Sequence, residues 1–133
     1  WCPSRGLGDV YKRQILNNLG RCLKIEEEQF DAFTSIFGAG PAFISHLSNT
    51  LTKIAKEHGF LNPEPWIRDI LIGTSYIHES SDGENKFENI MDMVASKGGV
   101  TEAALNKINS EGIEKIWKEA INEAILKSKA LGD

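Results

Sequence analysis

The sequence of 133 residues has few cysteines, no excess of positive charge and no long apolar run. Its 19 acidic and 15 basic side chains give a formal net charge of −4. Because nucleic acids and anionic membranes attract basic surfaces, this balance argues against both as partners. No apolar stretch approaches the roughly 20 residues that cross a bilayer. No signal peptide is visible, and we therefore expect a cytoplasmic protein.

Metal binding and a disulfide scaffold have little support in the sequence. Cys2 and Cys22 have no CxxC spacing, and a reducing compartment explains them more simply, although a disulfide between them stays open. The three histidines, His46, His58 and His78, are 12 and 20 residues apart, so no two of them share one helical turn. We expect no metal cofactor.

Nucleotide-binding and hydrolase motifs are also missing. There is no GxxxxGK[ST] loop and no GxSxG elbow. Gly38-Ala39-Gly40 does not complete a dinucleotide fingerprint, because the third glycine is absent, no strand precedes it and Pro41 has no backbone N–H. We interpret this stretch as a tight corner between two helices, and we expect no nucleotide-binding half within these residues.

What is present is helical periodicity, which begins at Ile15, and no segment shows the alternation of a strand. The pattern predicts an all-α bundle of five to six helices. We expect helical segments to end before Gly20 and then to lie at residues 26–37, 41–58, from 63 to about 79, 87–94, 102–109 and 112–131.

Large aromatic side chains are more numerous on these apolar stripes than a short bundle ordinarily needs. Phe33, Phe37, Phe43, Trp66 and Trp117 lie at helical spacings. They indicate either a surface that packs against helices of a partner or a closed monomeric core, and the sequence favours neither.

The first fourteen residues differ in composition from the rest. They are basic, loop-like and show no helical period, and residues 9–14 (DVYKRQ) resemble the translated end of a sequencing adapter. We therefore expect residues 1–14 to be a non-native leader and residues 15–133 to form the helical domain.

The second glycine-rich break has the composition of an anion site. Gly98 and Gly99 leave backbone N–H groups unobstructed, Ser96 and Thr101 add hydroxyl donors, and a helix begins just after them. Such an arrangement suits one carboxylate. The alternative is a plain turn in which Thr101 is the N-cap of the helix.

Taken together, the two breaks resemble the C-terminal dimerisation domain of the pyrroline-5-carboxylate reductase family. Residues 38–43 (GAGPAF) match its GSGPAY-like corner, and residues 96–101 (SKGGVT) match its SPGGTT-like loop. The regular last helix, with Ala120 and Ile121 at its centre, is similar too. The resemblance covers about residues 15–131.

The resemblance implies a parent enzyme that reduces 1-pyrroline-5-carboxylate to L-proline with NAD(P)H, bound by an N-terminal Rossmann domain that these residues do not contain. It implies a homodimer, and leaves a larger assembly open. It assigns the substrate carboxylate to Ser96, Gly98, Gly99 and Thr101, with Thr101 nearest the imine nitrogen as the catalytic candidate. The chain alone is expected to be inactive.

Three departures from the family pattern keep the substrate open. Ala39 replaces a serine, Phe43 a tyrosine and Lys97 a proline, and the loss of the proline loosens the loop. Lys97 either attracts a carboxylate or points to solvent. A reductase of another cyclic imino acid and a non-catalytic homodimerisation module therefore stay as alternatives.

Overall fold

A computed structural model of the chain describes residues 7–18, 20, 23–80 and 87–132. The secondary structure of these residues is helical throughout, and none of them forms a strand. Six helices have eight residues or more, which confirms the predicted all-α class. The helices are α1 (Leu7–Asn17), α2 (Phe30–Phe33), α3 (Gly40–Glu57), α4 (Glu64–Ser80), α5 (Phe87–Val94), α6 (Val100–Ser110) and α7 (Ile113–Gly132).

The chain divides into two compact units, Trp1–Phe30 and Asp31–Asp133. The first unit contains α1, which begins eight residues before Ile15. The expectation of a loop-like start was therefore wrong for residues 7–14. Lys12, Arg13 and Gln14 have high helix propensity, and residues of high propensity can form a helix without a periodic apolar stripe. The non-native origin of residues 1–14 stays a prediction, and Cys2 and Cys22 lie outside the described residues.

Before α2 the first unit forms a short 3₁₀ turn, Glu27–Gln29. The backbone N–H of Glu26 donates to Oε1 of Gln29 at 3.0 Å, and the backbone N–H of Gln29 donates to the Glu26 carbonyl at 3.0 Å. Acidic residues in this first turn suit the positive end of the helix dipole. The predicted helical start at residue 26 is confirmed.

The second unit begins with a change of helical pitch. After α2 the chain forms a π-helical turn, Thr34–Gly38, which closes when the Ala39 N–H donates to the Thr34 carbonyl at 3.1 Å. The helix α3 starts at Gly40 and carries Pro41 in its first turn, where the missing N–H costs nothing. The predicted corner between two helices is confirmed.

The end of α3 and the start of α4 form the next corner. Gly59 has a φ of +91°, and the Phe60 N–H donates to the Ala55 carbonyl at 3.1 Å, which is the hydrogen-bond pattern of a glycine-terminated helix. The ammonium group of Lys56 pairs with the carboxylate of Glu64 across this corner. The predicted helix end at Gly59 is confirmed.

The π-helical turn packs against both α3 and α7, and α6 packs against α7. The rings of Phe43 and Trp117 meet edge to face with centroids 5.3 Å apart. The Ser128 hydroxyl donates to Oδ1 of Asp31 at 2.6 Å. These contacts bring the two ends of the second unit together and orient the start of α6.

Apolar burial within the chain is incomplete. No large apolar side chain of the described residues is buried, and Ser35 in the π-helical turn is the one buried polar residue among them, at 5% exposed. The residues that the structure describes do not form a closed apolar core among themselves. Its composition is sufficient for a core, but these helices do not enclose one by themselves.

Candidate functional site

The predicted anion site lies in the turn between α5 and α6. Its four predicted residues, Ser96, Gly98, Gly99 and Thr101, come together within six positions of the chain. The backbone N–H of Ser96 donates to the Val94 carbonyl at 3.2 Å, which ends α5. The chain then reverses through the two glycines and enters α6 at Val100.

Each glycine of this turn is required for a different reason. Gly98 has a φ of +74°, a region that favours glycine over residues with a side chain. Gly99 donates its N–H to the Ser96 carbonyl at 2.8 Å. A Cβ atom on Gly99 would stand 2.8 Å from that same oxygen. The turn therefore depends on both positions.

Not all of the predicted N–H donors are available for a ligand. The Gly99 N–H is bonded within the turn, and the Gly98 N–H donates to Oε2 of Glu102 at 2.7 Å. The carboxylate that contacts the Gly98 amide is thus the chain's own. This differs from the expected arrangement, in which the amides of both glycines faced a substrate carboxylate.

The first turn of α6 supplies other donors. Gly99 is the N-cap, and the amides of Val100, Thr101 and Glu102 find no acceptor among the described residues. Such amides are the orphan donors at the start of every helix, and the helix dipole adds positive potential there. An anion at this position would meet three free N–H groups.

Thr101 is the second residue of α6 rather than its N-cap, so the plain N-cap alternative for it is wrong. Its side chain is half-buried, and its hydroxyl has no hydrogen-bond partner among the residues that the structure describes. Ser96 is exposed, and its hydroxyl is likewise free within that part of the chain. Both hydroxyls therefore stay available to a ligand.

Lys97 is exposed and forms no ion pair with any described residue. It is close in sequence to the free amides, where a positive charge adds to the attraction for an anion. At the other glycine-rich break, Phe43 is half-buried against Trp117, and Ala39 is the N-cap of α3. Neither residue has a polar group for a ligand.

Sequence reasoning missed Glu102. Glu102 is the third residue of the observed α6, the position from which a side chain reaches back to amides before the helix. The predicted helix started at residue 102, two residues too late, and this shift hid the relation between Glu102 and Gly98.

Other kinds of site are not formed by the described residues. No three His, Cys, Asp or Glu side chains lie close enough among them to share a metal ion. Within the same part of the chain, no helix is long and apolar enough to span a membrane.

The exposed apolar surface is the second functional feature. Trp66 and Tyr76 on α4 are each 70% exposed, and Phe37 in the π-helical turn is 62% exposed. Further exposed apolar residues on α3, α4 and α5 are Ile44, Leu47, Leu51, Ile54, Ile70, Ile72, Ile77, Met91 and Met93.

Helices that leave their apolar faces uncovered in this way are typical of domains that complete their core against another chain. Residues 27–131 match the sequence profile of the family described as pyrroline-5-carboxylate reductase dimerisation. The chain belongs to this family, which confirms the resemblance.

Individual relatives agree with this assignment. The chain is similar to pyrroline-5-carboxylate reductases of Staphylococcus haemolyticus, at 33% identity over 119 residues, and Staphylococcus saprophyticus, at 29% over 120 residues. These alignments cover 88% and 89% of this chain but 43% and 44% of the relatives. The chain thus spans less than half the length of the curated relatives that it matches.

Solved structures show the same fold. A pyrroline-5-carboxylate reductase from Coxiella burnetii superposes with a TM-score of 0.83 over 93% of this chain and 46% of that chain, at 21% identity. Pyrroline carboxylate reductase from Plasmodium falciparum, solved with NADP bound, gives 0.80 over 99% and 54%, at 24% identity. The all-helical fold is therefore that of the matched part of these reductases.

Proposed function

We propose that this chain is the self-associating and substrate-binding part of a reductase that converts 1-pyrroline-5-carboxylate to L-proline with NAD(P)H. The family assignment supports the dimer and the parent activity. The observation on which the binding role depends is the free amides and free hydroxyls at the start of α6. We place the parent enzyme in the cytoplasm.

The partner in the dimer is a second copy of the chain. The exposed side chains of α3, α4 and α5 would cover one another there and supply the apolar core that the described residues of one chain do not form. A symmetric dimer needs no other protein, and larger assemblies built from such dimers fit the same surface.

The ligand at α6 is a small cyclic carboxylate. Ser96, Gly98, Gly99 and Thr101 form the turn, and the amides of Val100 and Thr101 donate to the carboxylate oxygens. The Thr101 hydroxyl is placed to orient the imine nitrogen or to relay a proton to it. A single carboxylate matches this set of donors in charge and size.

The nicotinamide cofactor, when bound, supplies the hydride. The residues of this chain do not fit a dinucleotide, since the corner at Gly38–Gly40 joins two helices and carries no strand before it. We therefore assign the cofactor to the part of the parent protein outside this chain. What this chain contributes is alignment of the substrate and compensation of its charge. Without the cofactor-binding part, it should not turn over substrate.

Ligand-induced stabilisation tests the binding role. L-proline should raise the thermal midpoint of the chain, because a ligand that binds only the folded state stabilises it. L-prolinamide, which lacks the carboxylate, should not. The Thr101→Ala variant should lose the shift. The control variant is Thr50→Ala, whose hydroxyl bonds only the His46 carbonyl of its own helix, and this variant should keep the shift. An unchanged midpoint in the unmodified chain would contradict the binding role.

An assay of NADPH oxidation by the chain alone, with 1-pyrroline-5-carboxylate present, tests whether the cofactor binds outside this chain. No turnover is expected, and measurable turnover would contradict the assignment of the cofactor to another part of the protein.

A non-catalytic homodimerisation module is the second candidate function. The bond between Gly98 and Glu102 favours it, because one predicted donor is already occupied. Under this candidate the chain dimerises and L-proline has no effect. A reductase acting on another cyclic imino acid would respond to its own product in place of L-proline.

A further inference from the structure

The carboxylate of Glu102 lies against the turn to which the proposed ligand would bind. Its Oε2 accepts the Gly98 N–H at 2.7 Å, although Glu102 is itself the third residue of α6. The side chain therefore bends back over the start of its own helix. It places a negative charge at the Gly98 amide, two residues before the first residue of α6.

No described cation forms an ion pair with this carboxylate. Lys97 is exposed and the carboxylate of Glu102 has no ion pair in that part of the chain. An incoming carboxylate would thus meet a like charge, which is unfavourable. It would also find one of the turn's N–H groups occupied.

We infer that Glu102 is an internal competitor that weakens carboxylate binding at the start of α6 and thereby sets the affinity of the site. This inference rests on the proposed function of the same turn. In the ligand-free chain Glu102 satisfies the Gly98 amide. When a carboxylate binds, Glu102 gives up that bond and turns toward solvent, which its half-exposed position allows.

In this role Glu102 changes how tightly the ligand binds and takes no part in the reaction. Glu102 acts on the ligand through charge and through the Gly98 amide, so it is a specificity residue of the site. A ligand with a higher negative charge density would be repelled more strongly than a monocarboxylate. The site therefore favours small acids that carry a single carboxylate.

Two substitutions separate the effect of the Glu102 charge from the effect of its hydrogen bond to the Gly98 N–H. Glu102→Gln removes the charge, and its amide oxygen can still accept the Gly98 N–H, so the turn is retained. Glu102→Ala removes the charge and also frees the amide. The matched control is Glu114→Gln, which makes the same charge change at an exposed position in the first turn of α7.

The probe is cyclopentanecarboxylate, which has the carboxylate but no nitrogen, so a cation on the ligand cannot pair with Glu102. Cyclopentanecarboxamide is the neutral control. Binding is followed by the ¹⁵N–¹H resonances of the full chain, with the Gly98 amide as the reporter. Circular dichroism checks that each variant keeps its helix content.

We expect Glu102→Gln to bind cyclopentanecarboxylate about fivefold more tightly than the unmodified chain. Glu102→Ala should bind at least as tightly as Glu102→Gln, and Glu114→Gln should match the unmodified chain. In the unmodified chain the Gly98 resonance should move as the ligand saturates the site. The carboxamide should give no shifts in any of the four proteins.

Each contrary result has its own meaning. Equal dissociation constants in the unmodified chain, Glu102→Gln and Glu102→Ala would overturn the competitor role and leave the proposed site intact. Weaker binding by Glu102→Gln would overturn it as well, and would make Glu102 a supporting residue. Absence of binding in every protein would overturn the proposed site together with this inference.

Discussion

The hydroxyl of Ser128 donates a 2.6 Å hydrogen bond to Oδ1 of Asp31, a residue 97 positions earlier in the chain. Both side chains are half-buried. The bond ties the last long helix to the short helix before the π-helical turn. Because few apolar side chains of the described residues are buried, this polar contact contributes strongly to the relative position of α2 and α7.

Ser128→Ala should lower the free energy of unfolding by about 1 kcal/mol, since the Asp31 carboxylate loses a donor in a partly buried place. Ser45→Ala is the control, because its hydroxyl bonds only the Pro41 carbonyl one turn earlier in its own helix. Urea titration at one fixed protomer concentration measures both, since the proposed self-association would make unfolding depend on concentration. Equal losses in the two variants would contradict the role of the long-range bond.

Gly99→Ala should destabilise the turn before α6 by about 2 kcal/mol, because its Cβ would stand 2.8 Å from the Ser96 carbonyl oxygen and the backbone has to move. Gly38→Ala is the matched control in the other glycine-rich break. There the new Cβ meets only the Thr34 methyl at an ordinary 3.7 Å. Amide hydrogen exchange should be faster at position 99, whose N–H donates to the Ser96 carbonyl, and at Ala103, whose N–H donates to the Gly99 carbonyl, in Gly99→Ala alone. Unchanged protection there would contradict the tight turn.

Acid should weaken the corner between α3 and α4. The ammonium group of Lys56 donates to the Glu64 carboxylate and, with a backbone N–H, holds the pKa of Glu64 below its usual range. Because the pKa is lower in the folded chain than in the unfolded chain, the stabilisation is present above the unfolded pKa. It is lost as the pH falls through the folded pKa.

Lys56→Met should therefore be less stable than the unmodified chain near neutral pH, and the difference should vanish below the folded pKa of Glu64. The effect should be small and should shrink with added salt, because both side chains are about half exposed. Lys53→Met, on the same helix and without an ion pair among the described residues, is the control. A difference between Lys56→Met and the unmodified chain that stays constant down to low pH would contradict the ionic origin.

Much of the fold could be predicted because the signals are local. Pro41 and Pro63 mark helix limits through their fixed φ, and Gly59 marks one because it can adopt a positive φ. The structure confirms each of them within a residue or two. The π-helical turn at Thr34–Gly38, which packs against α3 and α7, was not predicted, because residue types do not distinguish its pitch from that of an α-helix. The helix before Ile15 was missed because it has propensity without periodicity.

The site could be predicted in part. The glycines, the hydroxyls and the start of a helix follow from residue types, and the turn at 96–101 brings them together. The contact of Glu102 with Gly98 depends on a side-chain rotamer and on the exact first residue of α6, which residue types do not determine. The location of the core could not be predicted either, because burial depends on what covers the apolar faces of α3 and α4.

The central claim is that two copies of this chain complete one core, and sedimentation velocity combined with thermal unfolding over a range of protein concentrations tests it most directly. The expected particle contains two copies of the 14.8 kDa chain, or a larger even number of copies. Its unfolding midpoint should rise with protein concentration. A 14.8 kDa particle that keeps its helix content and unfolds cooperatively at one midpoint, whatever the concentration, would contradict it.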